Sequence, residues 1–179
     1  MSIEKAIEIA LKIDPSIGPA LEIDRKTLSE DQFKAKLHDF FVTNKKAADI
    51  AIAHPGKSFA EIKQAVDINI SAHINNDFHI LTFVTNVLTK KGDLTSLALS
   101  CSRRIVLSDP RISNYFEENP QADKIHTSQT ICDELQTLLV KYFENIKGQK
   151  LDTEAMAEEL TVAASKKVAE ILGSLGKAA

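Results

Sequence analysis

His73 and Asp77 are the two side chains whose types and spacing best suit chemistry, because they lie four residues apart in a helical pattern. Residues at i and i+4 project from one side of a helix. In a continuous helix both would also lie in its apolar stripe, where an ionisable pair is costly unless it is paired or coordinated. Such a pair favours a metal half-site, a haem-type ligand or a pH-sensitive switch. The alternative is that Asp77 caps a second helix and His73 ends the first, both near solvent.

No further residues complete a metal set around this pair. His79 follows His73 by six residues, on another helix face, and the sequence has no His-x-x-x-His pattern. We therefore assign the sequence no metal and no cofactor.

A second candidate site lies where a turn meets a helix start. Gly56-Lys57-Ser58 resembles the end of a phosphate-binding loop, but Ala51 stands where that loop needs a glycine. A turn followed by an N-cap is the favoured interpretation. The free N–H groups of this helix start, with His54, Lys57 and Ser58, form a candidate site for a small anion.

Five cations cluster around two helix junctions and form a candidate docking patch for an acidic protein partner. They are Lys90, Lys91, Arg103, Arg104 and Arg111. Only Asp93 and Asp109 oppose them. The alternative is a solvated face with ordinary cations at helix ends.

No arrangement of residues predicts a catalytic site. Ser100, Cys101 and Ser102 lie within one helical pattern, and the sequence has neither a Gly-x-Ser-x-Gly elbow nor a Gly-x-Gly-x-x-Gly loop. Cys101 and Cys132 lie on apolar stripes and are predicted to be buried reduced thiols. Enzymatic activity stays open, and we favour its absence.

Capping residues, glycines and prolines divide the first third of the chain into predicted helices. Ser29 with Gln32 and Ser58 with Glu61 form two capping boxes. The first opens a helix that reaches about Ala53 before Pro55 ends it. The segment 16–28 is the least regular part, and we expect it to hold one short turn.

The segment from Phe59 to Lys91 contains no Gly or Pro, so it predicts one long helix or two that meet at Asp77. Gly92 is predicted to take the left-handed conformation at its end.

Later helices are predicted to start at Asp93, at Asp109-Pro110 and at Asn119-Pro120. The third of these has an apolar face that begins at Ile125, and it closes at Gly148. Leu151-Asp152 opens the last helix, with Leu151 packed on Met156.

These segments predict an all-α protein, an irregular bundle of about seven to eight helices in a single domain over residues 1–179. Within it we predict an N-terminal helix and irregular linker (1–28), a central bundle (29–148), and a C-terminal helix with a frayed tail (149–179). The architecture is similar in outline to globin-like and phycobiliprotein-like folds, and Asp77 to Asp93 resembles their central helix. The likeness is architectural, because no cysteine lies near Asp77 to attach a bilin and no histidine is identified as a haem ligand.

Composition and hydropathy limit the kinds of function that the sequence supports. The net charge is −3, from 22 Lys+Arg and 25 Asp+Glu, so the surface offers no general attraction to nucleic acid. No apolar run is long enough to span a bilayer, and Met1 to Lys5 lacks the basic flank of a secretory signal, so we expect a cytoplasmic protein.

Our leading functional hypothesis is a non-enzymatic helical interaction module: an adaptor, a chaperone-like subunit or a bacterial effector-type domain. Its partner would be a protein or a second copy of itself. The alternative is a bundle that binds a small molecule, a metal or haem through His73 and Asp77.

Overall fold

The structure is a computed structural model that describes residues 1–146, 149 and 152–178. Residues 177 and 178 are described by their backbone alone. Over these residues the chain forms nine α-helices and one 3₁₀ turn (Pro15–Ile17), without a strand. The helices are α1 (Ile3–Ile13), α2 (Gly18–Thr27), α3 (Glu30–Thr43), α4 (Lys45–Ala53), α5 (Phe59–Leu88), α6 (Leu94–Ser108), α7 (Pro110–Glu118), α8 (Lys124–Asn145) and α9 (Thr153–Ala178). The predicted all-α class is confirmed.

The chain divides into two compact units, Met1–Ile68 and Asn69–Ala179, and the division falls inside α5. The subdivision predicted at residues 28 and 148 remains a prediction. Gly148 and Leu151, with the helix end and the apolar contact predicted for them, lie outside the described residues.

The first unit has two small apolar clusters, both built on α1. One joins α1 to α2 and α3 and contains Phe33 and Leu37, which are 3% and 4% exposed. The other joins α1 to α4 and to the start of α5 through Ile62. The two sides of the amphipathic helix α1 thus pack in two different clusters.

The second unit has one larger core to which α5 to α9 all contribute. Its buried members are Ile80, Phe83, Val84, Ala98, Cys101, Ile105, Ile112, Ile131, Leu135, Leu139, Met156, Ala157, Leu160, Ala164, Val168 and Ile171. Because five helices share this core, it holds the surfaces between them in fixed register.

Two segments in the first unit differ from the prediction. The segment expected to hold one short turn contains the ten-residue helix α2, because Pro19 lies in its first turn, where a missing N–H costs no hydrogen bond. The helix expected to run to Ala53 is interrupted at Asn44, whose side-chain amide donates to the carbonyl of Phe40 at 2.9 Å. This bond gives the backbone carbonyl of Phe40 a side-chain donor at the point where the helix is interrupted.

In the second unit, α5 is one continuous helix through Asp77. It ends in a double hydrogen bond in which the N–H groups of Lys90 and Lys91 donate to the carbonyls of Val87 (3.2 Å) and Asn86 (3.0 Å). Lys90 has φ 53°, so Lys90 takes the left-handed position that we predicted for Gly92.

The start of α8 also differs from its prediction. Asp123 caps this helix by accepting from the N–H of His126 at 3.0 Å, whereas Asn119-Pro120 lies in the preceding turn. The side chain of Asn119 instead donates to Tyr115 and closes α7.

Candidate partner-binding groove

His73 and Asp77 lie at the edge of α5 that faces α9. The His73 Nε2 atom lies 4.0 Å from a carboxylate oxygen of Glu158, and Asp77 accepts from the hydroxyl of Thr161 at 3.3 Å. The side chain of His73 is 36% exposed. Our expectation that a continuous helix buries this pair is therefore wrong.

In the middle of α5 the buried line is displaced by one residue from the stripe that the apolar spacing predicts. Ala72 and Asn76 are at most 1% exposed, whereas Ile70 of the predicted stripe is 42% exposed. Toward the two ends of the helix, Ile62 and Ile80 of the predicted stripe are buried as expected. Asn76 can be buried because its amide donates to the carboxylate of Asp109 at 3.1 Å. A polar residue with a partner therefore lies inside, and the residues next to it lie at the boundary.

The candidate anion site is occupied by the chain's own carboxylate. The N–H of Ser58 donates to Glu61 at 2.7 Å, and the N–H of Glu61 donates to the hydroxyl of Ser58 at 3.3 Å. The predicted capping box is thus confirmed. Hydrogen bonding from the backbone N–H and the hydroxyl of Ser58 lowers the pKa of Glu61, so a carboxylate already lies at the helix start that we assigned to an anion with His54 and Lys57.

The five cations of the predicted docking patch occupy different surroundings. Lys90 and Lys91 are exposed in the turn after α5. Arg103 and Arg104 are neighbours on α6, but Arg103 lines a groove toward α8 and Arg104 lines a small cleft toward α5. The side chain of Arg111 is only 11% exposed and belongs to the interior.

Arg111 and Asp109 form a buried, two-pronged ion pair at the corner between α6 and α7. The guanidinium Nη2 donates to Asp109 at 2.7 Å and its Nε donates at 3.1 Å. A third guanidinium nitrogen, Nη1, donates to the carbonyl of Ser165 on α9 at 2.9 Å. The same carboxylate caps α7 by accepting from the backbone N–H of Arg111 at 2.9 Å. This corner thus ties α5, α7 and α9 together and offers no free cation to a partner.

His79 lies on α5, and its side chain contacts the end of α6. Its Nε2 lies 3.0 Å from the hydroxyl of Ser108, which itself donates to the carbonyl of Arg104. The Nδ1 atom is buried and has no hydrogen-bond partner among the described residues. Burial, followed by the nearby Arg104 guanidinium, lowers the pKa of His79, so this imidazole is neutral at pH 7.

An open groove between α6 and α8 combines apolar walls with cations. Its volume is about 470 Å³, and it is lined by Arg103, Val106, Leu107, Lys124, Ile125, Ser128, Gln129 and Cys132. Leu107 and Ile125 are 83% and 86% exposed, although both are large aliphatic side chains. They are the most exposed large hydrophobic residues of the described chain.

Neither cysteine near the groove is an activated thiol. Burial raises the pKa of the Cys132 thiol, so this sulfur is a weak nucleophile at neutral pH. Cys101, on the other side of α6, is buried, and its desolvation raises its pKa to about 12. The prediction that both cysteines are free and buried is confirmed.

Sequence patterns pointed to part of this groove. Arg103 belonged to the predicted docking patch, whereas Ile125 was predicted to begin the buried face of α8 and is instead exposed. One feature of the sequence indicated that Leu107 is exposed. Leu107 lies two residues after Ile105, which is buried, and therefore on a different face of α6. That Leu107 lies across from Ile125 depends on how α6 and α8 pair.

A second groove, of about 500 Å³, runs between α8 and α9. Leu138 and Leu160 contribute apolar surface, and the salt bridge between Glu134 and Lys167, 3.9 Å long, crosses between the two helices. Among the described residues, no group of three or more His, Cys, Asp or Glu side chains could hold a metal ion. No helix in the described part of the chain combines the length and apolar character needed to cross a membrane.

Comparison of the chain with models of protein families, with curated proteins and with solved structures finds no match. The function is therefore inferred from the geometry of the described residues.

Proposed function

We propose that this protein is a non-enzymatic interaction module that binds a helix of a partner protein in the groove between α6 and α8. The observation that carries the proposal is the exposure of Leu107 and Ile125 on opposite walls of one groove. Scattered apolar residues on a surface need no explanation, but two large ones that share a groove are typical of a docking site.

The groove has the form that a helical partner requires. Its walls come from two helices fixed by one core, and its floor contains the half-buried Val106 beside the buried Cys132. An amphipathic helix binds such a groove by placing its apolar residues between the walls. A preformed groove also lowers the entropic cost of association.

A photo-crosslinking residue at position 107, in cells of the natural source, tests this proposal. We expect the photo-crosslinking residue at position 107 to form an adduct of defined mass. The additional substitution Ile125→Asp in the same chain should abolish this adduct. The matched control is the same photo-residue at Val162, which is 54% exposed on α9.

An adduct at 107 no stronger than the one at 162 would contradict the proposal. The adduct's mass also distinguishes two kinds of partner, because an adduct of two identical chains identifies a second copy of this protein.

A second candidate function is a ligand-binding bundle that uses His73 and Asp77. The continuity of α5 through both residues favours it, because the two side chains then share one side of a helix, whereas the partial exposure of His73 disfavours it. Native mass spectrometry of the untagged protein tests this function. Extra mass that is lost on unfolding, and absent in His73→Ala, would support it, and a bare chain mass would remove its support.

A further inference from the structure

We infer that the segment bound in the α6–α8 groove is an acidic amphipathic helix with two carboxylates one turn apart. This inference rests on the proposed function and specifies the chemistry of the partner. It is argued from the charges, the register and the spacing of the residues that line the groove.

The charged side chains that line the groove have one sign, and the neighbouring Asp133, which accepts from Gln129, lines the other groove. Its ionisable cations are Arg103 and Lys124, and no Asp or Glu lies among its lining residues. The other open groove, between α8 and α9, contains both signs, with Glu134 and Asp133 beside Lys141 and Lys167. A single sign beside apolar walls favours a partner with the opposite charge and disfavours a basic one.

The register of the two helices follows from one hydrogen bond. The side-chain amide of Gln136 on α8 donates to the carbonyl of Thr95 on α6 at 3.2 Å. The end of α6 lines the groove with the start of α8, whereas the start of α6 bonds to Gln136 in the middle of α8, so the two helices run antiparallel. Ile125, eleven residues before Gln136, therefore lies level with Val106, eleven residues after Thr95. The two exposed aliphatic side chains therefore lie nearly opposite each other.

The same register sets the spacing of the cations. Arg103 lies level with Ser128, and Lys124 lies four residues before Ser128, so the backbone positions of the two cations are offset by about 6 Å along the groove at 1.5 Å per residue. The ammonium of Lys124 lies 6.0 Å from the centre of the Phe116 ring on α7, at the outer limit of a cation–π contact. Glutamates at i and i+4 of a partner helix are separated by the same rise, about 6 Å.

The test is the affinity of synthetic helical peptides for the full-length protein, measured by fluorescence anisotropy at two salt concentrations. The acidic peptide has leucines at i+3 and i+7 and glutamates at i and i+4. Matched peptides have glutamine or lysine at the two glutamate positions. We expect the glutamine peptide to bind about tenfold more weakly, the lysine peptide to bind weaker still, and the acidic peptide to lose affinity as salt rises.

Variants assign the effect to the groove. Arg103→Gln and Lys124→Gln should each weaken binding of the acidic peptide severalfold and reduce its salt dependence. Arg104→Gln is the matched control, because it removes a neighbouring arginine that lines the cleft on the other side of α6. Circular dichroism of each variant confirms that it is folded.

Equal binding of the acidic and glutamine peptides would overturn this inference and leave the proposed function intact, because apolar contacts alone would then explain binding. An equal effect of Arg104→Gln and Arg103→Gln would also overturn it, because nonspecific attraction would then explain the charge dependence. Absence of binding by every peptide would overturn it as well, whereas the crosslink at position 107 tests the proposed function independently.

Discussion

Asp109 takes part in three different contacts within the second unit. It is fully buried, it caps α7, it pairs with Arg111 and it accepts from Asn76. Because a buried charge is tolerated when it is paired and hydrogen-bonded, the pair is stable only while both members are present.

We predict that Asp109→Ser lowers the free energy of unfolding by about 3–5 kcal/mol, because it leaves the Arg111 guanidinium buried without a counter-charge. Serine retains an oxygen that can cap α7, so the loss reports mainly the broken pair. Denaturant unfolding followed by circular dichroism measures it.

The double variant Asp109→Ser/Arg111→Met is the control for this prediction. An apolar side chain in place of the guanidinium should restore more than half of the lost stability, because replacing a buried pair as a whole is far less costly than breaking it. A double variant as unstable as the sum of the two single variants would contradict this account.

Sequence patterns predicted the capping role of Asp109 and missed its buried ion pair. The Asp109-Pro110 dipeptide correctly predicted a helix start, since the capping bond is local. The sequence did not separate Arg111 from the surface cations, because the burial of Arg111 depends on Ser165, which lies 54 residues away along the chain.

At the scale of the helix, the end of α5 takes a backbone conformation that disfavours its own residue. Lys90 is the one residue other than glycine with positive φ in the described chain. A side chain with Cβ costs roughly 1–2 kcal/mol in the left-handed region, and glycine is free of this cost.

We predict that Lys90→Gly raises the free energy of unfolding by about 1 kcal/mol, because glycine relieves this strain. Lys91→Gly removes a neighbouring cation from a residue without positive φ and should lower stability or leave it unchanged. Thermal and denaturant unfolding of the two variants measure the difference. A gain in Lys91→Gly equal to that in Lys90→Gly would show that loss of charge, and not backbone strain, explains the effect.

The face that α5 turns inward was harder to predict than its length. Apolar residues at spacings of three and four occur on two neighbouring stripes of this helix, so periodicity alone leaves the phase uncertain by one residue. Contacts with other elements decide that the stripe through Asn76 faces inward. The hydrogen bond from the Asn76 side-chain amide to Asp109 is one of these contacts.

At the scale of the molecule, the second unit has a core to which each of its five helices contributes. Cys101 is a member of that core, 4% exposed, and its pKa is raised to about 12 by burial. A reagent can reach this thiol only if the packing around α6 opens.

We predict that N-ethylmaleimide labels Cys101 at a rate that increases with denaturant in parallel with unfolding of the second unit, because labelling needs both exposure and thiolate formation. Peptide-level mass spectrometry measures this rate beside that of Cys132, which lines the α6–α8 groove. Rapid labelling of Cys101 in the native protein would contradict a continuous core.

The sequence by itself determined the all-α class and most helix starts. Five helices are each capped by a side chain that accepts a hydrogen bond from a backbone N–H two or three residues away. These capping residues are Ser29, Ser58, Asp93, Asp109 and Asp152. Such bonds depend on local residue types, so a sequence pattern is enough to predict them.

Only the tertiary structure decided which cations are free and where a partner can bind. It placed Arg111 inside, separated Arg103 from Arg104, and brought Leu107 across from Ile125. Each of these outcomes depends on the register between helices distant in the chain. That register is set by how a whole core packs, which no short window of sequence contains.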